Sequence, residues 1–193
     1  MKKALLGLII LITCFVGCAG TRFTRIPDKE IGLGHDSPQT IRTRLGKPFG
    51  EATVIKNGKT IRALSYSFAK ASFKFTGPVP SRAQVFYFYN DILIGHIYTS
   101  TGQNDQTQFD SSKVEKIKEN QTKIDEAMAL LGTPSGHYVY PMVEKENEKA
   151  EVYFYVQVKP GFMTPKLFQQ ILIVSYDPKG IVRKLDFVEG GER

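Results

Sequence analysis

Hydrophobic positions recur along this chain with two periods, one typical of helices and one typical of strands. Ser37-Pro38 predicts the start of a helix that ends at Leu45, where Gly46 can adopt the left-handed closing conformation. A second helix is predicted after a capping Thr122, because apolar residues then recur at spacings of three and four: Ile124, Ala127, Met128 and Leu131. A shorter helix is expected at about 111–119.

Strand-like segments follow each long helix. The predicted strands are 52–56, 59–68, 85–89 and 93–100 in the first half, and 138–143, 151–158, 170–176 and 181–188 in the second. Asn57-Gly58 predicts a two-residue hairpin turn, because both residue types tolerate positive φ. The order of elements in each half is therefore a helix followed by an antiparallel meander.

A six-residue motif marks both halves. Leu45-Gly46-Lys47-Pro48-Phe49-Gly50 matches Leu131-Gly132-Thr133-Pro134-Ser135-Gly136, which lies 86 residues later. Because the surrounding elements also match, we expect an internal duplication. The predicted fold class is α+β, with two tandem repeats at 36–105 and 106–193. Each repeat would pack one or two short helices on a three- to four-stranded antiparallel meander.

The N-terminus has the three-part pattern of a signal peptide. Lys2 and Lys3 precede an apolar run, Ala4–Val16, and Gly17-Cys18 follows it. As a helix this run would span roughly 20 Å, which is short of the roughly 30 Å hydrocarbon core of a bilayer. We therefore expect cleavage after residue 17 and acylation of Cys18.

Two alternatives to this interpretation stay open. The segment could be an ordinary secretory signal or an uncleaved anchor, and Cys14 is a rival acylation site, although Thr13 before it suits the peptidase less well. Residue Ala19 replaces the Asp that retains lipoproteins at the inner membrane, which favours the outer membrane with the domain facing the periplasm. Residues 18–35 are basic and contain Pro and Gly, and we interpret them as a lipidated tether.

Charge and cysteine content narrow the class of partner. The net charge is +7, and two of the positive charges, Lys2 and Lys3, leave with the signal peptide. The excess is scattered, so it favours anionic lipid or acidic protein surfaces and not nucleic acid. No cysteine follows Cys18, so the mature chain has no disulfide.

The motifs together resemble a known family. A capped helix ending in Leu-Gly-x-Pro, followed by antiparallel strands, resembles the SmpA/OmlA/BamE outer-membrane lipoproteins. The two-copy form resembles the β-lactamase-inhibitor-protein-like fold. The match covers about residues 36–189 and is closer in the second half, with Tyr153-Phe154-Tyr155 and the hairpin at Asp177-Pro178-Lys179-Gly180. The resemblance implies an outer-membrane lipoprotein, accessory to β-barrel assembly.

Reactive motifs are sparse in the mature chain. His35, His96 and His137 show no ligand-like spacing, and neither a nucleophile elbow nor a phosphate-binding glycine loop occurs. We expect no catalytic, cofactor-binding or metal-binding residues. His96 is expected on a strand surface and His137 in a loop, and 144–151 is interpreted as a solvated hairpin loop.

Two basic, aromatic connections between strands are the candidate interaction loops. Their proposed contact residues are Phe73, Lys74, Phe75, Phe162, Met163 and Lys166. Apolar anchors surrounded by lysines suit an interface with anionic lipid or an acidic protein. The alternative is that the aromatic side chains fold back into the core while the lysines remain solvated.

These observations favour a non-catalytic outer-membrane lipoprotein that binds an envelope protein as a scaffold, in β-barrel assembly or envelope integrity. Two alternatives remain. One is a proteinaceous inhibitor of a hydrolase, with aromatic anchors on its sheet: Tyr138, Tyr140, Tyr153 and Tyr155. The other is a binder of anionic lipid or an envelope polymer.

Overall fold

The computed structural model describes residue 20 and residues 22–70, 79–161 and 164–192. Within them, eight strands form a single sheet in which each strand pairs antiparallel with the next along the chain. The strands are β1 (Gly50–Lys56), β2 (Lys59–Ala69), β3 (Ser81–Tyr89), β4 (Ile92–Ser100), β5 (Gly136–Val139), β6 (Lys149–Lys159), β7 (Lys166–Tyr176) and β8 (Val182–Gly191).

Two α-helices pack on this sheet, α1 (Pro38–Leu45) and α2 (Ile124–Leu131), with short 3₁₀ segments at Asp28–Glu30 and Ser111–Lys116. The predicted bounds of α1 are confirmed, and Gly46 closes it with φ 78°. In the described part of the chain, neither helix has the length and apolar character needed to cross a bilayer.

The predicted cap of α2 is wrong by one residue. The N-cap is Lys123, whose backbone N–H donates to the Glu126 carboxylate at 3.2 Å. The Thr122 hydroxyl instead accepts a hydrogen bond from the Lys118 N–H at 2.8 Å, which closes the preceding turn. Thr122 therefore lies near the start of the helix, as predicted, but it stabilises the turn that precedes the helix and not the first helical turn.

The predicted fold class of two separate helix-on-meander repeats is wrong, because both halves belong to one curled sheet. β4 pairs with β5 through Gly95–Tyr138, His96–His137 and Ile97–Gly136. Periodicity within a segment identifies a strand but carries no information about which distant strand completes its other edge. The division of the chain at 36–105 and 106–193 stays a prediction.

The two Leu-Gly-x-Pro motifs nonetheless have matching surroundings. Gly46 and Gly132 both close their helices with positive φ, at 78° and 86°. A tyrosine hydroxyl donates to each of these glycine carbonyls at 3.1 Å, from Tyr66 to Gly46 and from Tyr153 to Gly132. Each helix is thereby linked to the second strand after it, α1 to β2 and α2 to β6.

One face of the sheet carries a single apolar cluster that runs from β1 to β8. The other face, which bears the helices, carries two clusters. The α1 cluster includes Ile41, Leu64 and Phe86, and the α2 cluster includes Ala127, Leu172 and Val174. Because fully burying such a side chain contributes about 1.5–3 kcal/mol, these three clusters supply most of the driving force for folding.

The two ends of the sheet differ in their connections. The turn end carries the β1–β2, β3–β4, β5–β6 and β7–β8 connections. The loop end carries the β2–β3 and β6–β7 connections and the chain that leaves β4. The predicted hairpin turn at the turn end is confirmed, since Asn57 and Gly58 have φ of 50° and 69°. At the loop end, the Val79 N–H donates to the Val158 carbonyl at 2.7 Å.

Residues 22–36, which we call the N-terminal strap, lie along the helix-bearing face from the loop end to the turn end. Phe23 and Ile26 are buried in the α1 cluster. Gln84 binds the strap as a peptide would, because its side chain accepts from the Ile26 N–H at 3.0 Å and donates to the Ile26 carbonyl at 2.9 Å. Any free tether therefore ends before Phe23, and not at residue 35.

Gly136 is where the two halves of the sheet approach most closely. A Cβ at Gly136 would lie 1.9 Å from the His96 carbonyl oxygen, whereas a Cβ at the matching Gly50 would lie 3.0 Å from the rotatable Ser65 hydroxyl. We expect Gly136→Ala to lower the free energy of unfolding by about 1–3 kcal/mol, as overpacking does in a rigid site. Gly50→Ala is the matched control and should change it much less. Equal losses in urea unfolding would contradict the close approach.

Candidate functional site

A row of polar side chains separates the α1 and α2 clusters on the helix-bearing face. His96 on β4, His137 on β5 and Glu151 on β6 are direct cross-strand neighbours. The His96 and His137 rings lie 5.3 Å apart, edge to face. Polar groups at this depth must be paired or neutral, so their partners determine what the row can do.

His137 and Glu151 form the charged half of this row. His137 Nδ1 lies 2.6 Å from Glu151 Oε2, and the Tyr176 hydroxyl donates to Glu151 Oε1 at 3.0 Å. The hydrogen-bonded Glu151 carboxylate raises the pKa of His137, against the opposing effect of partial burial. Burial and the same carboxylate raise the pKa of Tyr176, which keeps its phenol protonated as a donor.

His96 forms the neutral half. Its side chain is 2% exposed, and burial lowers its pKa to about 4, although Asp28 on the strap opposes that shift. Its Nδ1 lies 3.9 Å from Asp28 Oδ1 and has no hydrogen-bond partner among the described residues. Arg25 Nη2 donates to both carboxylate oxygens of Asp28 at 3.1 Å, and the Arg25 guanidinium also lies over the Tyr98 ring, 4.3 Å from its centroid.

Charge therefore alternates from Arg25 through Asp28 and the neutral His96 to His137 and Glu151. This arrangement responds to protons, because lowering the pH adds a charge at His96 beside an already cationic His137. Over the described ranges, no group of three or more His, Cys, Asp or Glu side chains is placed to hold a metal ion.

Three sequence-based placements in this row are wrong. His96 is buried and not on a strand surface, and His137 lies in β5 and not in a loop. Segment 144–151 is not wholly solvated either, because Glu148 and Glu151 are each 6% exposed. Glu148 accepts from Lys145 at 3.0 Å. Alternation alone cannot distinguish a strand's solvent face from a face that a distant helix or strap covers.

Most of the predicted interaction residues lie outside the described residues: Cys18, Phe73, Lys74, Phe75, Phe162 and Met163. Lys166 is described and begins β7, where its ammonium lies 2.7 Å from a Glu192 carboxylate oxygen. The two candidate loops connect β2 with β3 and β6 with β7, so the topology places both at the loop end.

The aromatic residues considered as inhibitor anchors are mainly core residues. Tyr138, Tyr153 and Tyr155 are at most 2% exposed, and only Tyr140 is partly accessible. Tyr138 packs edge to face on Tyr87 with ring centroids 5.5 Å apart. Such side chains cannot anchor a partner without leaving the core.

The two edges of the sheet differ in how they are covered. Segment 118–123 covers the start of β8. Within it, the Asn120 N–H donates to the Val182 carbonyl, and the Glu119 carboxylate accepts from the Leu185 N–H, both at 2.8 Å. In contrast, β1 pairs only with β2 among the described strands. Sequence reasoning missed this difference because it depends on tertiary contacts of an irregular segment.

The free edge of β1 presents both backbone and side-chain groups. In a hairpin with a two-residue turn, the residues that flank the turn form a hydrogen-bonded pair and the pairs alternate from there. Glu51, Thr53 and Ile55 therefore direct their N–H and C=O groups away from β2. Their side chains are exposed too, with Ile55 at 78%.

No family model, curated protein or solved structure matches this chain. The resemblance to the SmpA/OmlA/BamE lipoproteins accordingly stays a prediction.

The titration of His96 predicts a specific pH dependence of stability. In the folded chain the pKa of His96 is about 4, below its ordinary value of 6.5. Between pH 6.5 and 4, the unfolded chain therefore binds a proton at His96 and the folded chain does not. This residue should therefore remove about 3 kcal/mol of stability as the pH falls through that window. His137 has the opposite sign, since its raised pKa adds stability that is lost as the pH rises through the folded value.

His96→Asn should make urea-measured stability less sensitive to acid between pH 6.5 and 4. The exposed His35, which lies outside the row, supplies the control His35→Asn, and this variant should follow the wild type. An unchanged pH profile in His96→Asn would contradict the burial of a neutral imidazole.

Proposed function

We propose that this chain is a non-catalytic lipoprotein of the outer membrane that faces the periplasm and binds an envelope protein as a scaffold. Acylated Cys18 would hold it at the membrane. The observation that carries the binding role is the free edge of β1. A role in β-barrel assembly rests on the family resemblance alone.

Strand addition is the mode of binding that this edge favours. A partner segment in extended conformation would pair with the outward N–H and C=O groups of Glu51, Thr53 and Ile55. Long exposed edges invite pairing with other chains, and proteins usually cover them or place charges there. Here segment 118–123 covers the start of β8, whereas β1 keeps an exposed isoleucine, Ile55, among its three outward-directed residues.

An inhibitor role receives less support. Three of its four suggested anchors are buried side chains, and one face of the sheet is covered by the helices and the strap. An enzyme role has little support as well, because the His96–His137–Glu151 row lacks an exposed nucleophile.

Membrane attachment through Cys18 is tested by Cys18→Ser in intact cells. Acylation requires that thiol, so the variant should lose labelling with a radioactive fatty acid and leave the detergent-soluble membrane fraction. Cys14→Ser removes the rival thiol and should keep both properties. Loss of labelling in Cys14→Ser alone would contradict the assignment of the lipid to Cys18.

Strand addition at β1 is tested with a photo-crosslinking residue at Ile55, in Thr53→Ala and Thr53→Pro backgrounds. Proline removes an N–H that points away from β2, so the hairpin keeps its own hydrogen bonds while a partner strand loses one. We expect about a tenfold smaller adduct yield with Thr53→Pro, which corresponds to about 1.4 kcal/mol, and an unchanged yield with Thr53→Ala. Equal yields in both backgrounds would exclude pairing through this edge.

A further inference from the structure

We infer that the loop end of the sheet is the membrane-facing surface of this protein, and that Arg22, Lys70 and Lys159 there contact anionic lipid headgroups. The inference deepens the proposed function and rests on its lipid anchor at Cys18. It specifies the orientation of the domain and the chemistry of the surface that it meets.

The position of Gly20 fixes which end of the domain lies nearest the anchor. Its backbone packs against β2 near the loop end, so closely that a Cβ there would lie 1.9 Å from the Ser67 carbonyl oxygen. Cys18 is two residues earlier, and two extended residues reach at most about 7 Å. This distance is comparable to the headgroup layer on one side of a bilayer, about 5–8 Å, so Gly20 must lie at headgroup depth.

The strap prevents the domain from swinging away on a longer tether. Phe23 and Ile26 are 8% and 3% exposed in the α1 cluster, and Gln84 binds both backbone groups of Ile26. Extending the chain would expose the two apolar side chains and leave the buried Gln84 without its partners. The fold therefore begins almost directly at the lipidated residue.

Three cations of the loop end, Arg22, Lys70 and Lys159, form no ion pair with any described residue. Lys70 is exposed and Lys159 is half-buried. Lys159 also lies directly opposite Lys166 across β6 and β7, and Lys166 takes the Glu192 carboxylate. Arg22 is exposed beside Phe68, with its guanidinium carbon 5.4 Å from the ring centroid.

The carboxylates at this end are already engaged. Asp105 accepts from the Tyr98 hydroxyl at 2.5 Å and from the Ser100 hydroxyl at 2.7 Å. At the turn end, Lys184 pairs with Glu144 and Lys145 with Glu148, whereas Lys149 and Lys179 form no ion pair with a described residue. Unpaired cations within reach of a membrane anchor suit an anionic lipid surface, which attracts basic side chains.

This orientation projects the turn end away from the membrane. β6 contains 11 residues and runs between the two ends, so the turn end lies up to about 33 Å farther from the membrane surface. The free edge of β1 then leads away from the membrane, on the periplasmic side of the headgroups.

Partition onto vesicles tests this surface independently of the lipid. The probe is the unacylated chain of residues 19–193, which contains every described residue, mixed with vesicles of phosphatidylglycerol and phosphatidylcholine or of phosphatidylcholine alone. We expect binding to the anionic vesicles only, weakening as salt screens the attraction. Lys70→Gln with Lys159→Gln should lower the partition coefficient about 25-fold, since each basic residue near the surface contributes about fivefold.

Lys149→Gln with Lys179→Gln is the matched control, because it removes the same charge from the turn end and should leave partition unchanged. Equal losses for the two pairs, or no binding of the wild-type chain at low salt, would overturn the assigned surface. If Cys18→Ser stays acylated and membrane-bound in cells, the anchor proposal fails, but the vesicle result still decides whether the loop end binds anionic lipid.

Discussion

Backbone pairing between β4 and β5 is the constraint on which the rest of the structure depends. Among the described residues, three β4–β5 pairs join the two halves of the sheet, and glycine occurs in two of them. A Cβ at Gly136 would meet the His96 carbonyl, and a Cβ at Gly95 would lie 2.6 Å from the Tyr138 ring. Because Gly95 and Gly136 have no Cβ, β4 and β5 can pair, and Tyr87 and Tyr138 can pack across the junction.

The polar row lies where it does because of this junction. Each helix covers the apolar cluster of its own half, and the strip between the clusters receives His96, His137 and Glu151. Burying charge there is costly unless it is paired. The strap supplies Asp28 beside His96, and Tyr176 supports Glu151, so the junction, the strap and the row stabilise one another.

Local signals predicted local structure well, as in α1 with its closing Gly46 and the turn at Asn57-Gly58. The face on which His96 lies could not be predicted, because a register shift opposite Tyr87 and Phe88 changes the alternation of β4. Strict alternation from Leu93 would place His96 with Ile94 on the other face. The strap was likewise missed, since two apolar residues among basic, Pro- and Gly-containing sequence give too weak a pattern to distinguish a packed segment from a tether.

The proposed lipid-binding surface at the loop end could be predicted from the sequence only in part. Lys70 and Lys159 lie at the start of the two connections whose basic and aromatic composition was evident, but their common position at one end follows from a topology of consecutive antiparallel strands. With the loop end at the proposed membrane surface, the same topology makes β1 lead away from that surface. A partner segment could then pair with β1 only within about 30 Å of the headgroups, which makes membrane attachment a determinant of which partner the edge can reach.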